Sequence, residues 1–345
     1  MEGDQNVMKR LLVVLLTLAI ILTTGWWMLR RADISYNTLE SVYSKSNSRY
    51  LKTGDRIELH FTDSGPRDAP AVILVHGYSA SLHTWDDWAR QLRKDYRVIR
   101  LDLPGHGLSR CLDNDEIGIE QFVASVDRLA GSLDVDRFTL VGNSMGGHTA
   151  WAYALQHPEK LDGLVLVDAA GWLDEPGEGE GQPFIFKLLR NGLARSVIRD
   201  LDMSALIRSG LEDSFADPEF VTDEMVERYS ALSRAPCHRD ALLTLMSGAT
   251  LRVLASKERL AAITTPTLIM HGDTDNLIPV AHAHKFADAI PGAELIIYPQ
   301  TGHIPQEEVA TQSVRDLLGF LSGLHADPVE MSPEDVPALP APDGG

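Results

Sequence analysis

Cysteine is nearly absent from the 345 residues: Cys111 and Cys237 are the only two, and they stand far apart. Two cysteines so far apart and in no ligand-like spacing exclude a multiply stapled disulfide framework and indicate no cysteine-based zinc site. Two buried thiols are the simplest reading, while one bridge between them would fit an oxidising compartment. Positive charge is also short, with 31 Lys and Arg against 49 Asp and Glu, a formal net charge of −18. Nucleic acid is therefore not an expected partner, because its binding is driven by clustered cations that displace counterions. Part of the acidity is local, in Asp174, Glu175, Glu178 and Glu180 and again in the tail, so bulk charge says little about a substrate. Internal repeats are missing too. With 44% hydrophobic and 23% charged residues, what remains is the composition of a folded globular chain.

One long apolar run occurs. Lys9 and Arg10 precede an uncharged stretch from Leu11 to Leu29, and Arg30 and Arg31 follow it. As a helix this stretch spans roughly 28 Å, close to the ~30 Å hydrocarbon thickness of a bilayer. Trp26 and Trp27 lie near its end, where indoles suit the headgroup interface. A single-pass anchor over residues 1–31 is expected, with the large domain on the exported side. The rival is a cleaved signal peptide, against which the run continues through Trp26, Trp27, Met28 and Leu29.

Residues 32–54 are polar and weakly patterned and read as a stalk. Beyond them, β-branched runs at Arg56–Thr62, Ala71–His76, Arg97–Leu101, Arg137–Val141, Gly163–Val167, Pro266–Met270 and Ala293–Tyr298 predict strands. Helical periodicity at Leu82–Arg93, Ile119–Leu133, Met145–Gln156, Val280–Ala289 and Glu307–Leu321 alternates with them. The alternation predicts an α/β fold, a mostly parallel sheet with helices on both faces. It lapses over residues 170–262, where an acidic Gly-rich loop precedes helix-like stretches at Phe184–Arg195, Leu201–Leu211 and Asp223–Ser233. That insertion is expected to form a helical lid between core segments 55–169 and 263–325. The Pro-rich acidic tail, 326–345, has too few large apolar residues to order.

Gly142-Asn143-Ser144-Met145-Gly146 is a G-x-S-x-G pentapeptide directly between a predicted strand and a predicted helix, the setting that lifts a serine hydroxyl above a sheet edge. Serine is a weak nucleophile at neutral pH and needs a base, which in turn needs an orienting carboxylate. His303 follows the last predicted strand, and Asp275 follows the one before it, giving the order Ser, Asp, His.

With His76-Gly77-Tyr78, Asp102-Leu103-Pro104-Gly105-His106-Gly107, Gly272–Asp275 and Gly302-His303 in the same order, the chain resembles the α/β-hydrolase superfamily over residues 55–322. The resemblance implies a catalytic triad of Ser144, Asp275 and His303, with the acid at Asp275 rather than Asp273 and Asp168 as a less favoured substitute. It implies an oxyanion hole from the backbone N–H groups of Tyr78 and Met145. Asp102, His106 and His76 are expected to be structural. No cofactor and no metal is expected; His282 and His284 are read as a surface pair, and His157 as a helix stop rather than part of an acyltransferase motif. Trp85 and Trp88 should pack on the sheet, while Trp172 is a candidate for the acyl pocket.

Serine at the elbow argues against the branches that attack with aspartate. Anchor, lid and elbow together resemble the membrane-anchored monoacylglycerol lipases and carboxylesterases, which implies a carboxylic ester substrate, acylglycerols and other lipid esters among the candidates, reaching the enzyme at a membrane. The Gly-Asn-Ser-Met-Gly-Gly string also resembles carbon–carbon-bond hydrolases of aromatic degradation, although Ile304 stands after the histidine where those usually carry Trp. That branch is the alternative, and a non-catalytic binding protein of the same fold is the reading from another class. Protein partners are not legible.

Overall fold

The computed structural model describes residues 2–53, 57–111, 117–173, 192–247 and 253–324. The acidic Gly-rich loop, most of the Phe184–Arg195 stretch and the C-terminal tail lie outside the described residues. The centre of the molecule is a sheet of β1 (Ser48–Lys52), β2 (Ile57–Ser64), β3 (Ala71–Val75), β4 (Arg97–Leu101), β5 (Arg110–Cys111), β6 (Phe138–Asn143), β7 (Leu161–Val167), β8 (Thr267–Gly272) and β9 (Glu294–Tyr298). Its order is β1-β2-β4-β3-β6-β7-β8-β9, with β5 on β2. β2 runs antiparallel to β1, β4 and β5, and every other pairing is parallel. All of β3, β4, β6 and β8 is buried, as strands covered on both faces must be.

The covering helices sort into two layers. Ile119–Ser132, Met145–Gln156 and Val280–Ala289 contribute to one core, around Ile73, Leu140, Trp151 and Phe286. Asp86–Leu92 and Ala310–Leu324 contribute to the other, where Trp85 and Trp88 are fully buried with ring centroids 5.2 Å apart. Between β7 and β8 the chain leaves the sheet for an inserted helical region: Gly192–Arg199, Ser204–Glu212, Asp223–Ser233 and His238–Met246. This is the expected mostly parallel α/β-hydrolase sheet with a helical insertion. β3 has β4 on one side and β6 on the other, so the loops after β3 and β6 diverge there and open a crevice at the C-terminal sheet edge, where such folds hold ligands.

Three local expectations need correction. The expected stalk contains a helix, Tyr36–Tyr43, capped by Ser35, and the whole of β1; Leu39 is buried against Leu108 and Leu232. Its pattern is weak because one helical face and an edge strand supply few buried positions. His282 is buried on its helix while His284 is exposed, so the two are not a surface pair. Cys237 is disulfide-bonded, not a free thiol.

The N-terminal helix, Glu2–Leu29, is long and apolar enough to cross a membrane; its most apolar 18-residue window, within Gln5–Leu29, has a mean hydropathy of 2.2, and the rest of the chain buries none of it. Its end is tied to the insertion. Trp26 Nε1 donates to the Val197 carbonyl at 3.1 Å, Arg31 N–H to Asp200 O at 2.7 Å and Asp202 N–H to Leu29 O at 2.9 Å. Arg30 and Arg31 pair with Asp200 and Asp202.

Burial pushes six histidines below their ordinary range: His83, His148 and His271 to about 4, and also His76, His106 and His238. Each binds a proton in the unfolded chain before the folded one, so its contribution is complete above about pH 6.5 and is lost as pH falls, for His83, His148 and His271 towards 4. Asp168 and Glu307, raised by burial, act in the opposite sense but are outnumbered. The folded protein is expected to lose about 2 kcal/mol or more of stability between pH 7 and pH 5. Urea unfolding at the two pH values checks this; equal or greater stability at pH 5 would contradict it.

Candidate active site

Ser144 sits where β6 turns into the helix Met145–Gln156, with φ 56° and ψ −117°, a left-handed backbone rare for a residue with a side chain. The neighbouring glycines make that turn sterically feasible. A Cβ on Gly142 would lie 2.1 Å from the Gly146 carbonyl oxygen, and one on Gly146 2.2 Å from that of Val75. Ser144 N–H donates to Val167 O, and Ser144 O accepts from His148 and Ala170, so the turn is fixed from both flanks.

His303 is 5% exposed, in the loop after β9. Its Nδ1 donates to Asp275 Oδ2 at 2.7 Å, and its backbone is held by His303 N–H to Ser214 O and by Asn143 Nδ2 to His303 O at 3.1 Å. Asp275 Oδ1 accepts from the N–H groups of Leu277 and Ile278 at 2.7 and 3.0 Å. Burial alone would raise the Asp275 carboxyl, but His303 and these donors pull it below the usual carboxylate range. Asp273 serves the loop instead, its Oδ1 accepting from Gln300 N–H and stapling the turn.

With Nδ1 engaged, His303 has Nε2 left for the cavity that Ser144 also lines. No described hydrogen bond joins the two side chains; a longer approach is common before substrate binds. The cavity has a volume of about 1040 Å³, and Gly77, Tyr78 and Asn143 line it beside Ser144. The backbone N–H groups of Tyr78 and Met145 donate none of the described hydrogen bonds. The inserted helices supply its apolar wall: Leu206, Ile207, Val226, Leu242, Leu243 and Met246. Trp172 is not in that wall; it stacks edge-on against Phe286 in the core.

Asp102 and His76 are built into the fold by hydrogen bonds. Asp102 is fully buried and accepts from His60 Nδ1 and from the N–H groups of Leu82 and Leu108. His76 Nε2 accepts from Leu103 N–H. Sequence reasoning missed Asn143, which ties the His303 backbone to the elbow, and the wall helix His238–Met246. The first had a signal, its place inside the pentapeptide; the second, a short helix with its polar start in a turn, had little.

Comparison with known proteins agrees with this fold. The family model described as alpha/beta hydrolase fold matches residues 70–310. A 2-hydroxy-6-oxononadienedioate/2-hydroxy-6-oxononatrienedioate hydrolase of Comamonas testosteroni is 30% identical over 291 residues, covering 82% of this chain and 98% of the relative. A 2-hydroxy-6-oxo-6-phenylhexa-2,4-dienoate hydrolase of Burkholderia cepacia is 28% identical over the same length, with 82% and 98% covered. Among solved structures, a membrane phospholipase A, a bacterial virulence factor, superposes with a TM-score of 0.70 at 25% identity, covering 92% of this chain and 99% of that one. The two hydrolases named first are carbon–carbon-bond hydrolases, so they favour what the sequence left as the alternative over a simple esterase.

Proposed function

The chain belongs to the α/β-hydrolase family, and from that premise we propose that it is a serine hydrolase working through an acyl-enzyme on Ser144, with lipid-like esters as substrates. Ser144 Oγ attacks the carbonyl carbon while His303 Nε2 takes its proton, and Asp275 holds the imidazole in the tautomer that leaves Nε2 free to accept. The oxyanion is met by the N–H groups of Tyr78 and Met145, each worth roughly 2.7–4 kcal/mol in the transition state. The protonated His303 then gives its proton to the departing alcohol. Water, deprotonated by the same nitrogen, releases the acid and restores the hydroxyl.

One observation carries the substrate class: the apolar cavity above Ser144 is walled by the same inserted region to which the membrane-length helix is tied through Val197, Asp200 and Asp202. On this reading Glu2–Leu29 anchors the protein and residues 32–324 hold the catalytic domain next to the bilayer. The disulfide at Cys237 supports an oxidising, exported side.

A second reading, carbon–carbon-bond hydrolysis, is favoured by the named relatives and by Arg234. That cavity-lining guanidinium bonds only to the Ala32 carbonyl among the described contacts, and it could take the carboxylate of a dienoate.

The test runs p-nitrophenyl esters of rising chain length, a monoacylglycerol, a lysophospholipid and a 2-hydroxy-6-oxo-dienoate against the full chain and the Ser144→Ala variant. Preference for long acyl chains, lost in the variant, is expected. A series peaking at acetate with no lipid ester cleaved defeats the lipid reading, and turnover confined to the dienoate selects the second. Removing residues 1–29 is expected to release the protein from membranes and cut activity on vesicle-borne lipid ~10-fold or more while largely sparing a soluble ester, because the local substrate concentration is lost while Arg30 and Arg31 keep their ties to Asp200 and Asp202. Co-sedimentation with liposomes checks it; a truncated chain that still sediments would contradict the anchor.

A further inference from the structure

Behind the proposed triad lies a second carboxyl group to which that mechanism gives no role. Asp168 follows β7, is fully buried and holds a left-handed backbone, φ 44°. Its Oδ1 accepts one hydrogen bond, from Gly272 N–H at 3.0 Å, and its Oδ2 accepts none. One side-chain donor or acceptor atom from each of Asp168, His271 and Asp275 lies within 4.8 Å of the others.

The charges around Asp168 do not balance if both acids are ionised. His271 Nε2 is 3.6 Å from Asp168 Oδ1 and 3.5 Å from Asp275 Oδ2, but it donates to the Ile278 carbonyl at 3.0 Å. Burial keeps that imidazole neutral, its pKa lowered to about 4. Glu308, on the helix Pro305–Glu308, adds a further negative field, and Tyr298 of β9 brings no positive charge. Two adjacent buried carboxyls without a cation share a proton. Asp275 has three N–H donors and Asp168 has one, so the better-solvated anion is Asp275 and the proton belongs to its neighbour.

We propose that Asp168 is a positioning residue: a neutral carboxylic acid whose O–H donates to Asp275 and fixes the carboxylate that orients His303. Burial, followed by the charge of Asp275, raises the Asp168 carboxyl well above the ordinary range, in agreement with the hydrogen-bond count. The inference rests on the triad reading above and extends it by one proton and one residue.

The experiment uses the full chain in detergent and three forms: wild type, Asp168→Asn and Asp168→Ala. Asparagine is the isostere of a protonated acid and keeps an N–H donor towards Asp275. In Asp168→Asn the kcat/KM on a p-nitrophenyl ester should stay within about threefold of wild type, with the acid limb of its pH profile moved by less than ~0.3 unit. In Asp168→Ala, kcat should fall ~10-fold at nearly constant KM, because only the support of Asp275 is removed. A wild-type minus Asp168→Asn infrared difference spectrum at neutral pH should contain the carbonyl stretch of a protonated carboxyl group.

If Asp168 is ionised, Asp168→Asn removes a charge beside the triad and lowers the acid limb by roughly a unit or more, and the protonated-carboxyl band is missing. Either result overturns the proposal, as does failure of Asp168→Asn to fold. The infrared band is independent of turnover. A wild type that shows the band but cleaves no ester defeats the catalytic reading alone; one that cleaves the ester without the band defeats only this inference.

Discussion

Ser144→Ala is expected to lower kcat/KM by ~10⁴-fold or more on whichever substrate the chain accepts, with the fold unchanged. The size follows from what the hydroxyl does: without it no acyl-enzyme forms, and only binding and the oxyanion donors remain. The structural cost is small because Ser144 Oγ makes none of the described hydrogen bonds and lines a cavity rather than filling a core. Alanine tolerates φ 56° no worse than serine does, so the turn held by Val167, His148 and Ala170 stays as it is. The measurement is steady-state kinetics of purified variant and wild type, with circular dichroism as the folding control. Activity within tenfold of wild type, contamination excluded by a second independent preparation, would show that another group is the nucleophile.

Asp275→Asn is expected to be nearly as severe, with a ~10⁴-fold loss in kcat, for a reason visible in the hydrogen bonds. Oδ1 of Asp275 is fixed as an acceptor by the N–H groups of Leu277 and Ile278, so an asparagine must place its oxygen there and turn its NH₂ towards His303. Nδ1 of His303 would then have to accept, which moves the ring proton to Nε2, the nitrogen that must take the serine proton. The loop geometry should survive, so KM should change little. A loss of tenfold or less would mean that Asp168 or another carboxyl orients the imidazole.

The sheet was legible because its inner strands are apolar and rich in β-branched residues: β4 occupies Arg97–Leu101 as predicted, and the helices Met145–Gln156 and Val280–Ala289 begin and end where periodicity places them. β1 and β5 escaped notice, since an edge strand and a two-residue strand carry almost no pattern. The positions of Ser144, Asp275 and His303 could be read from strand-end motifs, and the structure joins Asp275 to His303 at 2.7 Å. The pentapeptide flagged Asn143 as part of the elbow, but its bond to His303, and the unbalanced pair of Asp168 with Asp275, could not be read. They depend on which loops meet across 160 and more than 100 residues of chain, and no local rule encodes that. The wall of the cavity was equally hidden, because an insertion's helices predict their own periodicity but not the direction of their apolar faces.

The most direct test is intact-mass and peptide analysis of the full chain quenched during turnover of a slow p-nitrophenyl ester. The expected result is a mass gain equal to the acyl group, on the peptide containing Ser144 and absent from Ser144→Ala. An enzyme that turns the ester over while the adduct falls on another residue, or that gives the same adduct after Ser144 is replaced, would contradict it.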